Sequence, residues 1–129
     1  MRRTDQRRAA VVALYQHDLT ERSLEELLHR DTTPFVRELA EGAEAHRGEI
    51  DGLISRLSVG WPLDRIAPLE RSILRVALFE LLHREDVPDE VAIDEAVEAA
   101  KELCGTDAPK FVNGILGAVT RERAQAVAP

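Results

Sequence analysis

The sequence predicts an all-α fold, a compact helical domain of about seven helices around one buried central helix. Three observations carry this. Apolar residues recur at three- and four-residue spacing, and no segment alternates in the manner of a strand. Capping residues and prolines punctuate the chain at helical lengths, at Thr33-Pro34, Gly60-Trp61-Pro62, Pro68 and Val87-Pro88. From Leu69 to Leu82 the apolar residues leave only a narrow polar strip, the mark of a helix covered on nearly all sides.

The first helix spans roughly Asp5 to Asp18, with Asp5 as its cap. Its apolar face is Ala9, Val12, Ala13 and Gln16, widened by Val11, Leu14 and Tyr15. Ser23-Leu-Glu-Glu26 has capping-box spacing and starts a short second helix. Thr33 caps a third, with Pro34 at its first position. That helix runs through Phe35, Leu39 and Ala43, bends near Gly48, and continues through Ile50, Ile54 and Leu57. Leu63 to Ala67, between two prolines, is long enough for about one helical turn. The central helix follows from Pro68 and stops at Val87-Pro88, because proline disfavours helix in the residue before it. Asp89 caps the next, Glu90 to Cys104, whose Ala92, Ala96, Ala99 and Ala100 allow close packing, and Gly105 stops it. The last helix starts at Asp107-Ala-Pro-Lys110, with Asp107 as its cap, and the tail from Ala124 to Pro129 frays.

At 129 residues the chain suits one domain, and with 44% hydrophobic but 4% aromatic residues its core is built of Leu, Val, Ile and Ala. The formal net charge of -7 argues against a general nucleic-acid binder. The distribution reverses that inference. Arg2, Arg3, Arg7 and Arg8 stand against Asp5 alone at the start, so a basic arm is joined to an acidic body. Such a body also suits a basic protein partner. Cys104 is alone, so no internal disulfide forms, and His17, His29, His46 and His83 are scattered without zinc spacing. No cofactor or metal is expected. No apolar run reaches the ~20 residues of a membrane span, and no secretory signal opens the chain, so a cytoplasmic protein is expected.

No enzyme constellation is visible: no glycine-rich phosphate loop, no nucleophile elbow, no metal-binding helix. His83 sits where a helix dipole favours a cation, which accounts for it without catalysis. The arginines are a better lead, because guanidinium forks match phosphate oxygens. Arg3 and Arg7 are four apart and line the start of the first helix, where positive charge opposes the macrodipole. The alternative is a solubilising first turn. Lys110-Phe111-Val112-Asn113-Gly114-Ile115-Leu116 places two poor helix formers, Asn113 and Gly114, in the second turn of the last helix. Phe111 is either a core residue or a platform on which a base stacks beside Lys110. Tyr15 is either core or an interface anchor. The charge of Asp107, three residues before Lys110, opposes phosphate there.

With these residues placed, the chain resembles the NusB family of bacterial transcription antitermination factors over nearly its whole length. The marks are Arg2-Arg3 and Arg7-Arg8 before Ala13-Leu14-Tyr15-Gln16, then Gly60-Trp61, Arg65, Glu70-Arg71 and Ile73-Leu74-Arg75. Val87-Pro88, Val91-Ala92-Ile93-Asp94-Glu95-Ala96 and Lys101 follow, and the Lys110 to Leu116 block is the most specific. The resemblance implies one domain, residues 1–129, of two three-helix subdomains, roughly 1–60 and 61–129, sharing a core. It also implies binding of single-stranded boxA-type RNA together with NusE, a small-subunit ribosomal protein. The pair acts on the RNA polymerase elongation complex, notably in ribosomal RNA operons. By matched position, Arg2, Arg3, Arg7, Arg8, Lys110, Phe111 and Asn113 are the RNA surface, and Tyr15 and Glu70 face NusE. Thr4, Asp5 and Gln6 interrupt a basic run that is denser in many members, which points to dependence on NusE. The contrasting expectation is a helical scaffold that binds protein without RNA.

Overall fold

The structure is a computed structural model that describes residues 1–127. Among these residues it is entirely helical: α1 (Arg3–Thr20), α2 (Leu24–Leu27), α3 (Pro34–Ala45), α4 (Arg47–Leu57), α5 (Pro68–His83), α6 (Asp89–Leu103) and α7 (Ala108–Val127), with a 3-10 turn at Leu63–Arg65. The expected central helix is α5. Ten consecutive residues, Ser72 to Leu81, are buried, and α1, α3, α4, α6 and α7 all pack on it.

A helix buried all round must satisfy its polar groups internally. Three polar residues in that run do so. Ser72 Oγ donates to the Pro68 carbonyl at 2.9 Å, back along its own helix. Arg75 forks onto Asp51 of α4 at 2.8 and 3.0 Å and lies 3.5 Å from Asp18 of α1. Glu80 takes a fork from Arg7 of α1. The two α1 partners fix its direction: Arg7 meets Glu80, while Asp18 meets Arg71 at 2.9 Å. Helices α1 and α5 are therefore antiparallel, and Tyr15 lies towards the Glu70 end of α5.

The cap residues Ser23 and Thr33 act as the sequence predicts, accepting the N–H groups of Glu26 and Val36 at 3.2 and 3.3 Å. The structure differs elsewhere. Asp5 is no cap: α1 begins two residues earlier, which puts Asp5 in a first turn where its charge complements the dipole. The buried face of α1 is Arg7, Ala10, Val11, Ala13 and Leu14, while Val12 stays 41% exposed. An arginine on the core side moved that face by one position from the apolar pattern. The helix expected from Thr33 to Leu57 is two helices, broken at His46 (φ -103°, ψ 19°) rather than at Gly48. Helix α5 ends at His83, ahead of Val87-Pro88, and a turn closed by the Val87 N–H on the Arg84 carbonyl follows. Asp89 is the first residue of α6 and makes no side-chain cap. At the other end α7 stays helical through Val127, where fraying from Ala124 was expected; Ala128 and Pro129 lie outside the described residues.

Candidate nucleic-acid and partner interface

The four N-terminal arginines have four different fates. Arg7 is buried, with its Nε 2.9 Å from Glu80 Oε1 and its second nitrogen 3.0 Å from Oε2. Its expected place on the RNA surface is therefore corrected: it is a structural pin between α1 and α5. Arg3 lays its guanidinium over the Phe35 ring, 3.7 Å from the centroid. The hydrogen bond from Arg84 holds the Asp86 carboxyl down to about 2, with a smaller contribution from the Arg3 charge. Arg8 pairs with Glu102 of α6 at 2.7 Å, and its Nε is buried without a partner. Arg2 is exposed and, among the described residues, pairs with Asp5 alone, at 3.5 Å. The arm is thus largely folded onto the body, and Arg2 is its freest charge.

At the start of α7, side chains alternate between core and solvent with helical period. Ala108, Val112, Ile115 and Leu116 are buried, whereas Lys110, Asn113 and Gly114 are exposed. A Cβ on Gly114 would meet nothing within 4 Å, so the backbone is bare on that face. No close approach among the described residues explains the glycine. Phe111 is half-buried against the core, and its rim lines a surface groove.

That groove also holds Trp61, Arg65, Glu70 and Asp107. Burial raises the Glu70 carboxyl above its ordinary value, and burial followed by the Glu70 charge raises the Cys104 thiol. Glu70, assigned by resemblance to NusE, and Phe111, assigned to RNA, therefore share one groove. Trp61, 51% exposed, is a rim residue that was read from the sequence only as a helix stop and family mark. The groove it lines takes Glu70 from α5 and Phe111 from α7, so no local pattern marks it. Tyr15 is half-buried on α1, towards the same end of α5. Arg8 connects this region to the arm, because Glu102 lies two residues before Cys104 and the connection Cys104–Asp107 leads to Lys110.

Asp107 is exposed, and what bonds to α7 is its backbone carbonyl, which accepts the Phe111 N–H at 3.3 Å. No side-chain cap bond from Asp107 is present among the described residues, so its expected capping role is corrected. The carboxylate is exposed three residues before Lys110. No helix among the described residues is long and apolar enough to cross a membrane.

Comparison with known proteins shows the family. The NusB family model matches residues 4–121. A transcription antitermination protein NusB of Symbiobacterium thermophilum is 41% identical, covering 94% of this chain and 90% of its own. One from Rubrobacter xylanophilus is 40% identical, covering 90% and 88%. Among solved structures, T. maritima NusB superposes with a TM-score of 0.85 at 37% identity, covering 95% of this chain and 92% of that one. A chain in a complex of the antitermination factors NusB and NusE with double-stranded RNA gives 0.82 at 27% identity, covering 93% and 96%.

Proposed function

Since the chain belongs to the NusB family, we propose that it is a transcription antitermination factor. It binds boxA-type RNA together with NusE and so supports read-through by the RNA polymerase elongation complex, notably on ribosomal RNA operons. The observation that carries this is the start of α7. Lys110, Asn113 and a bare Gly114 backbone face solvent beside the half-buried ring of Phe111. A cation for phosphate, an amide for base edges and an aromatic for stacking are the groups that single-stranded RNA recognition uses. Arg2 and Arg8 extend that surface. Tyr15 and Glu70 serve NusE, whose basic character as a ribosomal protein suits the acidic body.

The internal engagement of Arg3, Arg7 and Arg8 favours binding that depends on NusE over binding by the lone chain. The protein acts in the cytoplasm and by binding rather than by catalysis. It works as one domain, residues 1–129, whose parts 1–60 and 61–129 meet at α5; the support is that helices from both parts pack on α5.

The test is a mobility-shift titration with boxA-type RNA, as a single strand and as a duplex, with and without NusE. The expected result is a shift with the single strand that tightens sharply when NusE is added. A shift with the duplex alone would replace the stacking role of Phe111 by shape recognition. Binding to NusE with no RNA shift in any mixture would make the chain a protein scaffold.

A further inference from the structure

Two histidines that are far apart in sequence meet face to face. The rings of His46 and His83 stack with centroids 3.8 Å apart and planes 21° from parallel. Glu49 joins them: its Oε1 lies 2.7 Å from His83 Nε2 and 3.8 Å from His46 Nδ1. One ligand atom from each of the three residues falls within 4.8 Å of the others. We propose that His46, Glu49 and His83 form a binding site for a divalent transition metal, with Zn²⁺ as the ion.

The donor chemistry is the first argument. Two imidazoles and one carboxylate are a ligand set that Zn²⁺ takes in tetrahedral geometry. At Zn–N and Zn–O distances of about 2.0–2.2 Å, tetrahedral ligand atoms sit ~3.3 Å apart. The observed separations of 2.7 and 3.8 Å bracket that value. The third separation, between the two imidazole ligand atoms, lies within 4.8 Å.

The scaffold is the second argument. His46 is the single residue joining α3 to α4, and Glu49 follows three positions later on the same side of α4. His83 is the last residue of α5. Behind the pair the Phe79 ring forms an apolar wall, 5.9 Å from His46 and 5.8 Å from His83 between centroids. A Cβ on Gly42 would run into that ring, so glycine is what admits the wall. Three elements thus position the ligands, and the open side, where Glu49 and His83 are exposed, leaves a fourth position to water. Seated there, the ion ties the corner between α3 and α4 to the end of α5. No sequence spacing reveals it, since the third ligand comes from another helix.

Chelator-treated full-length protein is titrated with Zn²⁺ by calorimetry, and with Co²⁺ by absorption for the coordination geometry. The expected result is one ion per chain, a rise in Tm on adding Zn²⁺, and a tetrahedral Co²⁺ spectrum. His83→Gln and Glu49→Gln, on exposed residues, are each expected to keep the helical circular dichroism. Each should weaken Zn²⁺ by more than the roughly 10–100-fold that loss of an outer-shell partner costs. His29→Gln, outside the cluster, should bind as wild type. Absence of a saturable one-to-one isotherm overturns the site, as does wild-type affinity in either His83→Gln or Glu49→Gln.

Discussion

Arg7 and Glu80 form a bidentate ion pair inside the protein, joined at 2.9 Å and 3.0 Å across α1 and α5. Both residues are more than nine-tenths buried. A pair of this kind is weak evidence of net stability, yet breaking it is costly, because the remaining charge stays buried.

Arg7→Ala is therefore expected to destabilise the fold by about 3–5 kcal/mol. Replacing both partners with apolar residues, Arg7→Met with Glu80→Leu, should be far milder. Urea denaturation of the two variants measures the difference. Equal loss in both would mean that packing, not charge, dominates the site.

The RNA surface should show itself in salt dependence. Each cation that neutralises a phosphate of a single strand contributes a slope of about -0.7 in log K against log salt. Lys110→Ala should flatten the slope of the NusE-containing complex by roughly that amount. Arg7→Ala, measured where it is folded, should leave the slope alone. A slope change with Arg7 but none with Lys110 would move the RNA surface to the core side of α1.

Asp107 stands exposed three residues before Lys110 without serving as a cap. Asp107→Asn should tighten RNA binding by a few tenths to ~1 kcal/mol, the scale of an exposed charge in screened solvent. Asp107→Ala should do the same with Tm nearly unchanged, whereas a lost cap would cost about 1 kcal/mol. Weaker binding in both variants would show that the carboxylate helps to hold the RNA.

Glu70 combines a partly buried carboxylate with a position in the groove shared by Trp61 and Phe111. Glu70→Arg is expected to abolish NusE binding in calorimetry while the circular dichroism stays helical, because like charges then face each other across the interface. Unchanged affinity would place the NusE surface elsewhere.

Asp18 sets an acid limit. Burial alone would raise its carboxyl, but hydrogen bonds from Arg71 and Arg47 and the charge of Arg75 outweigh that and hold it below the ordinary 3.8. Its folded value is depressed, so the stability it supplies is complete above 3.8 and is lost as pH falls through the lower folded value. Asp18→Asn should reduce Tm at neutral pH and flatten its fall below about pH 4. A parallel pH curve in the variant would remove Asp18 from the acid transition.

Much of this fold is legible in the sequence where the signal is local. The apolar run of α5 and the caps at Ser23 and Thr33 depend on neighbours within a turn or two. The register of α1 is not legible, because its core face carries Arg7, whose partner lies 73 positions away. Nor is the break at His46, where a stack on His83 takes the place of any helix-breaking residue. At the candidate interface, the Lys110 to Leu116 block stands out by composition, since Asn and Gly are unusual in a helix. That Glu70 and Trp61 share a groove with Phe111 depends on how three separate segments pack. The separate fates of the arginines follow equally from long-range partners.

The position of α5 in the chain has a consequence for synthesis. A ribosome releases the polypeptide from its N-terminus, so residues 68–83 leave the exit tunnel before α6 and α7 do. Helices α1, α3 and α4 are then available to one side of α5, but the side later sealed by α6 and α7 remains apolar and bare. Such a nascent intermediate is the kind of surface that chaperones recognise and that aggregates when neighbouring ribosomes are crowded. For this protein, a translational pause with α5 emerged and α6 and α7 still in the tunnel is therefore a more dangerous event than a pause before Pro68.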